Sequence, residues 1–172
     1  MKRLIDILLS GTLILILLIP GLIVMLVLRL TAEGEVFYKQ KRVGLGGEHF
    51  DVLKFATMFV GSETKGSGDI TVKNDPRVTR FGKFLRAFKI NEVPQLLNVL
   101  NGTMSIVGPR PHAVEHNEQY SSIIAGYYAR HRVKPGMTGL AQIHGYRGET
   151  GDSEMMRKRI EFDVRYIENW SV

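Results

Sequence analysis

From Ile7 to Leu28 the chain carries no charged side chain, and Pro20-Gly21 lies near the middle of that stretch. A helix that crosses a bilayer needs about 20 apolar residues, so this block is long enough to enter a membrane. A cleaved signal peptide fits poorly: its apolar region usually runs about 7–15 residues and ends at a small-residue cleavage site, whereas "RLTAEGE" follows here. A buried core helix of a soluble protein is disfavoured by the length and by the lack of a polar face. Two readings remain open, a straight spanning helix and a re-entrant helix that dips into the bilayer and returns on the same side. Proline removes one helix hydrogen bond and crowds the preceding turn, so a kink is expected near Pro20. A bent helix would leave Lys2, Arg3 and Arg29 at one anionic surface, where each basic residue gains roughly 1 kcal/mol. Basic flanks at both ends suit that geometry better than the one-sided bias of a spanning helix.

The 172 residues suffice for one compact domain, and outside the apolar block the chain is polar and basic, with a formal charge of +6. Beside a membrane anchor, this charge reads as contact with anionic lipid or phosphates and not as nucleic-acid binding. The sequence has no cysteine. That excludes a disulfide framework, a thiolate zinc site and a cysteine nucleophile, and it fits a reducing compartment.

Beyond the anchor, Val36–Lys39 and His49–Phe55 read as strands of a β-hairpin around "GLGG". Lys39, Lys41 and Arg42, beside Phe37 and Tyr38, form a basic cluster suited either to solvent or to a lipid surface. "VGSETKGSGDITVKNDPRVTRFG" reads as a mobile loop. Two short helices should flank "KINEVPQLLNVL", the second ending at Asn101-Gly102. "MSIVGPRPHAVEHNEQY" is stiff at Pro109 and Pro111 and then turns helical, "QYSSIIAGYYARHRV" reads as a further helix, and "KPGMTGLAQIHGYRGETGD" as loop with two β-like pieces. A last helix follows, with Ser153 as its cap and Met156, Ile160, Val164 and Ile167 at helical spacing. The fold class expected is α+β and mostly helical. A membrane helix occupies 1–31, and 32–172 form a catalytic region that makes one domain with it.

Asn91-Glu92 admits two local readings. One is helix capping, for which Asn, Glu and a following proline are all suited. The other is an anion site at a helix start, where a carboxylate can hold Mg²⁺ and the Mg²⁺ a diphosphate. Arg86, Arg110 and Arg147 lie near this pair or in glycine- and proline-rich loops, and arginine matches phosphate with a planar fork. Each alone is an ordinary surface charge; together they suggest a polyphosphate ligand. His112, His116, His131 and His144 have no recognised zinc spacing.

Taken together, "KRLIDILLS…IP", "GEVFYKQKRVG", "LKFATM", "NDPRVTRFGKFLR", "NEVPQLLNVLNGTMSIVGPRP", "KPGMTGLAQIHGYRGET" and "EFDVRYIENWS" resemble the bacterial sugar transferases, the monotopic phosphoglycosyl transferases. The resemblance runs from Lys2 to Trp170, and the central motif combined with "VGPRP" is its specific part. It implies transfer of a sugar-1-phosphate from a nucleotide diphosphate sugar to a polyprenyl phosphate, typically undecaprenyl phosphate. This is the first membrane step of exopolysaccharide, capsule or O-antigen synthesis. It also implies Mg²⁺, an aspartate nucleophile that forms a covalent phosphosugar intermediate, and a re-entrant anchor broken near Pro20. The implied location is the cytoplasmic face of the bacterial inner membrane, in contact with membrane lipid; a homo-oligomer is left open. By this resemblance the Asp-Glu dyad of the family falls on Asn91-Glu92, with Glu92 as metal ligand. Its strand lysine falls on Lys54 and its late-helix acid on Asp163. Arg86, Arg110 and Arg147 are the phosphate-binding candidates.

The chain departs from the pattern at its centre. Position 91 is Asn where the family usually has Asp, and an amide is a poor nucleophile. A subgroup that uses Glu92 or direct transfer, a non-catalytic relative that binds nucleotide sugar, and a deliberate change that traps substrate all remain open. Ala56 stands where basic residues are common, which removes one expected phosphate contact. The chain ends at "NWSV" where many relatives continue, as a shortened form would.

Overall fold

The computed structural model describes residues 1–31, 35–59, 61–62, 75–147 and 153–169. The apolar block forms two helices, α1 (Lys2–Ile16) and α2 (Leu18–Leu30), bent by 62°. The break falls at Leu17, one turn before Pro20. This follows from what proline does: it cannot donate to the carbonyl four residues back, and its ring crowds that carbonyl, here that of Ile16. No single helix among the described residues is long and apolar enough to cross a membrane, but the bent pair together passes by length and composition.

The hook is part of the protein body. Leu28 of α2 is buried against Leu85 and Phe55, with Val24 and Met25 packed alongside. Helix α1 docks through a polar stripe. Asp6 and Ser10 are buried, while Leu4, Leu8, Leu15 and Ile16 face outward. Arg3 donates to the carbonyls of Val99 and Leu100, at 2.5 and 2.6 Å. Lys2 donates to Val107 O at 2.8 Å. The expectation that Lys2 and Arg3 rest on lipid headgroups is therefore corrected. Arg3 instead satisfies the last-turn carbonyls of the helix that contains Val99, where a cation is also favoured by the helix dipole.

The hairpin pairs β1 (Phe37–Val43) with β2 (His49–Phe55), antiparallel, from Phe37 opposite Phe55 to Val43 opposite His49. Its turn uses Gly46 and Gly47 at positive φ, 67° and 85°. Strand alternation divides the expected basic cluster. Phe37, Lys39 and Lys41 are exposed on one face, and Tyr38, Gln40 and Arg42 turn toward the protein on the other.

Most of the glycine-rich loop expected after the hairpin lies outside the described residues. Helix α3 (Arg80–Ala87) is capped by Thr79, whose Oγ1 accepts from Gly82 N at 2.8 Å. A single 3₁₀ turn, Ile90–Glu92, leads into α4 (Gln95–Asn101), which ends at Gly102 with φ 89°. The capping reading of Asn91 does not hold, because Pro94 precedes α4 and no side chain caps it. Asn98 ties α4 to the hairpin: its Oδ1 accepts from Leu53 N at 2.9 Å and its Nδ2 donates to Asp51 O at 2.8 Å.

β3 (Ser105–Val107) runs parallel to β4 (Gly136–Thr138). Of the two β-like pieces expected after Lys134, one is β4 and the other is a short helix, α6 (Leu140–Ile143). The backbones here approach so closely that a Cβ on Gly136 would lie 2.1 Å from Gly108 N, and one on Gly139 2.2 Å from Gly108 O. The helical turn expected after Pro111 is α5 (Val114–Ser121), and the further helix expected over Gln119–Val133 shrinks to a 3₁₀ segment, Tyr127–Arg132. Gly126 separates them at φ 74°, a conformation from which an α-helix cannot continue. Helix α7 (Ser153–Asn169) begins at the expected cap residue. Its buried Met156 and Ile160 pack with Tyr120, Ile124 and Tyr127, with Val164 alongside. The observed class is α+β with two small two-stranded sheets.

Candidate active site

The 3₁₀ turn that carries Asn91 and Glu92 starts from an unusual backbone. Lys89 has φ 60°, the one positive φ of a non-glycine residue among those described. Such strain costs on the order of 1–3 kcal/mol and persists where the surroundings enforce it, often at functional sites. Here it begins the turn that sets Asn91-Glu92 between α3 and β2.

Arg110 reaches the turn from the segment after β3. Its Nη2 donates to Glu92 Oε1 at 2.5 Å and its Nη1 to Oε2 at 3.3 Å, a fork across both carboxylate oxygens. The backbone on either side of Arg110 is held. Gly136 N donates to Pro109 O at 2.8 Å, Arg130 Nη2 to Arg110 O at 2.5 Å, and Arg42 Nη1 to Pro111 O at 3.1 Å.

The electrostatics are lopsided. Burial alone would raise the Glu92 pKa, but Arg110, Lys54 and Lys89 outweigh it and hold the carboxylate below its ordinary range. Lys54 goes the other way. Burial, reinforced by Arg42 and Arg110, depresses its ammonium to about 7, although part of the side chain still reaches solvent. Arg42 is lowered to about 10, first by burial and then by Arg110, and so stays charged at neutral pH. Arg86 joins the edge of this group, donating from Nε to Thr57 Oγ1 at 2.8 Å. One carboxylate thus faces several cations, one of which is driven toward losing its proton. A group in that state gains most from an arriving anion.

Asn91 Oδ1 is buried and has no hydrogen-bond partner. Asn91 is next in sequence to Glu92, and an amide oxygen and a carboxylate are both donor types that a hard cation takes. No cluster of three His, Asp or Glu gathers anywhere among the described residues.

Two expected site residues stand elsewhere. Asp163 does not meet Glu92. It forms a 2.9 Å ion pair with Arg130, both side chains buried, a contact that lacks hydrogen-bond geometry at Oδ2. Arg147 lines an open cleft of about 390 Å³ with Thr138, Gln142, Ile143 and Gly145. Lys54, Arg86 and Arg110 are the candidates that the fold brings toward Glu92. Sequence reading leaves Arg42 between solvent and a lipid surface, and it does not single out Arg130. The one signal for Arg42 was strand alternation, which puts it on the same face as Lys54's cross-strand partner, Tyr38. For Arg130 there was none.

A profile of the bacterial sugar transferase family matches residues 1–172. The chain belongs to the bacterial sugar transferase family. It is 54% identical over 172 residues to a UDP-glucose:undecaprenyl-phosphate glucose-1-phosphate transferase of Klebsiella pneumoniae, covering 99% of this chain and 37% of the relative. With a protein of the same name from Escherichia coli K12 it shares 53% identity, covering 100% of this chain and 37% of that protein. An exopolysaccharide production protein of Rhizobium leguminosarum is 42% identical, with 100% of this chain and 88% of the relative covered. The chain therefore spans little more than a third of the length of the first two relatives. As a bacterial sugar transferase, it carries the fork of Arg110 on Glu92 within the span that all three share.

Proposed function

We propose that this chain transfers glucose-1-phosphate from UDP-glucose to undecaprenyl phosphate at the cytoplasmic face of a bacterial inner membrane, opening the assembly of an exopolysaccharide. The names of its relatives support the substrates. The observation that carries the reading is the Arg110–Glu92 fork, ringed by Lys54 and Arg42 in a body built onto a bent apolar hook. The hook keeps the site at headgroup depth, where a lipid phosphate and a soluble nucleotide can both reach it.

The chemistry joins a phosphate oxygen of the lipid to the β-phosphorus of the donor and breaks the bond from that phosphorus to UMP, which leaves with the bond's electron pair. Such transfer depends on positioning and charge neutralisation. Arg110 can pass its fork from the Glu92 carboxylate to a phosphate, since both present paired oxygens. Lys54 regains its proton as the diphosphate arrives and then stabilises charge developing on the leaving UMP. Asn91 Oδ1 and Glu92, released from Arg110, would hold Mg²⁺. Bound there, Mg²⁺ would offset the charge of the diphosphate.

Asn91 has no anionic oxygen, so it cannot form the covalent phosphosugar that an aspartate would. That observation favours a second reading, in which the chain binds nucleotide sugar without turning it over. Radiolabel transfer from UDP-glucose to undecaprenyl phosphate, by this chain and by Asn91→Asp, separates the two. Product from Asn91→Asp supports the transferase scaffold, and product from the parent rejects the binding-only reading. Product from neither removes the enzymatic assignment.

A further inference from the structure

Asp6 is the one acidic residue of α1, and it is buried in a helix whose apolar side chains largely face outward. Its Oδ1 accepts from Ser105 Oγ at 3.0 Å and from Ile106 N at 2.9 Å. One turn earlier, Lys2 Nζ donates to Val107 O at 2.8 Å and to Tyr166 OH at 2.6 Å. The membrane helix thus grips β3 at each of its three residues.

The next residues carry Arg110. Gly108 N donates to Thr138 O at 2.8 Å, and the carbonyls of Pro109, Arg110 and Pro111 are taken by Gly136, Arg130 and Arg42. Held on this side by β4 and on the far side by Arg130 and Arg42, the segment has its leading end fixed by the hook. If adhesion were the hook's sole task, an apolar residue at position 6 would serve better. A buried carboxylate costs several kcal/mol unless donors meet it, and what such groups add is a defined register.

We infer that Asp6 is a positioning residue for Arg110: the membrane-embedded helix fixes, through β3, the strap that aims the arginine at Glu92. The carboxylate sets β3 along its length. β3 sets Gly108 and Pro109 against β4, and the guanidinium of Arg110 follows. The bilayer anchor and the phosphate grip are thereby one mechanical unit.

The inference rests on the transferase reading only where donor affinity is measured. The full chain in phosphatidylethanolamine–phosphatidylglycerol nanodiscs is compared with Asp6→Ala and Asp6→Asn. Hydrogen exchange is read at Gly108 and Gly136, whose amides do not touch Asp6. Asp6→Ala should speed exchange there by about tenfold or more, while Asp6→Asn, which keeps an acceptor oxygen, should stay within about threefold of the parent. UDP-glucose affinity should fall by about tenfold in Asp6→Ala, and Asp6→Ala should cause no further loss once Arg110 is Ala. Should Asp6→Ala fail to fold, Ser105→Ala removes one of the two donors and should shift the same readouts in the same direction, less strongly. Unchanged exchange at Gly108 and Gly136, or an equal loss of affinity with and without Arg110, overturns the inference. Faster exchange in a protein that binds no UDP-glucose would count against the transferase reading and leave the Asp6 linkage standing.

Discussion

Asp163 lies 2.9 Å from Arg130, and both side chains are shut away from water. Arg130 in turn holds the carbonyl of Arg110 and contacts the ring nitrogens of His112. Burial keeps His112 neutral, its pKa pushed well below the usual histidine value first by desolvation and then by Arg130 and Arg159. Burial raises the Asp163 pKa despite the same two arginines. Asp163 therefore stands one contact away from Arg110: it neutralises the cation that holds the Arg110 carbonyl.

Removing that acid strands a buried guanidinium. Asp163→Ala should destabilise the fold by about 3–5 kcal/mol, and Asp163→Asn by less. Denaturation in nanodiscs measures this. Folded Asp163→Asn should still bind UDP-glucose within roughly threefold of the parent. Normal stability with binding abolished would instead place Asp163 against the substrate.

Asn91→Asp restores the carboxylate that a covalent route needs. Transfer to undecaprenyl phosphate should rise by at least about a hundredfold, and mass spectrometry after incubation with UDP-glucose should find a sugar-phosphate adduct on residue 91. An adduct on Glu92 in the parent chain would assign the nucleophile to Glu92.

Glu92→Gln leaves Arg110 without its anionic partner and a metal without its charged ligand. UDP-glucose binding should lose its dependence on added Mg²⁺, while affinity in chelator should stay level or improve because Arg110 is released. A titration with and without EDTA reads both. Mg²⁺ enhancement that survives the substitution would remove Glu92 as the ligand.

Lys54 gives the pH signature. An unfolded lysine titrates at about 10.4, whereas in the fold Lys54 is lowered to about 7. Between these values the unfolded chain binds a proton that the folded chain lacks, so this residue makes stability rise with pH through that window and leaves it flat below. A bound diphosphate should return the proton. Calorimetry near pH 8, in buffers of different ionisation enthalpy, should show proton uptake on UDP binding, lost in Lys54→Met. Equal uptake in the variant would move the titration to another group.

The chain has no cysteine, so a single introduced one reports cleanly on the hook. A cysteine placed before Met1 and one at Glu35 should both label from the cytoplasmic side of intact vesicles. Labelling from opposite sides would make the bent pair a spanning segment.

The sequence carried local features well and long-range pairings poorly. The hairpin, the stop at Gly102 and the apolar stripe of α7 each follow from a few consecutive residues and are present, although the first strand, expected over Val36–Lys39, runs on to Val43. Asn91 looked like a cap because its neighbours suit a helix start, but the left-handed Lys89 turns the pair into a separate 3₁₀ turn. Lys2 and Arg3 looked like lipid contacts because their partners, Val99, Leu100 and Val107, lie about a hundred residues away. The β3–β4 pair joins three-residue strands, too short for a periodic signal. Asp6, the one acid within α1, is the visible hint that the hook touches protein.

The crossing of bare backbone at Gly108, Gly136 and Gly139 has a practical corollary for anyone wishing to vary this region by mutation. Even a methyl group at any of the three would overlap main-chain atoms, at 2.5 Å or closer, so mutagenic libraries gain nothing by sampling them. Variation belongs instead on Ile143, whose side chain is exposed and borders open space, whereas Gln142 is tied to the scaffold by its Nε2, which donates to Met137 O.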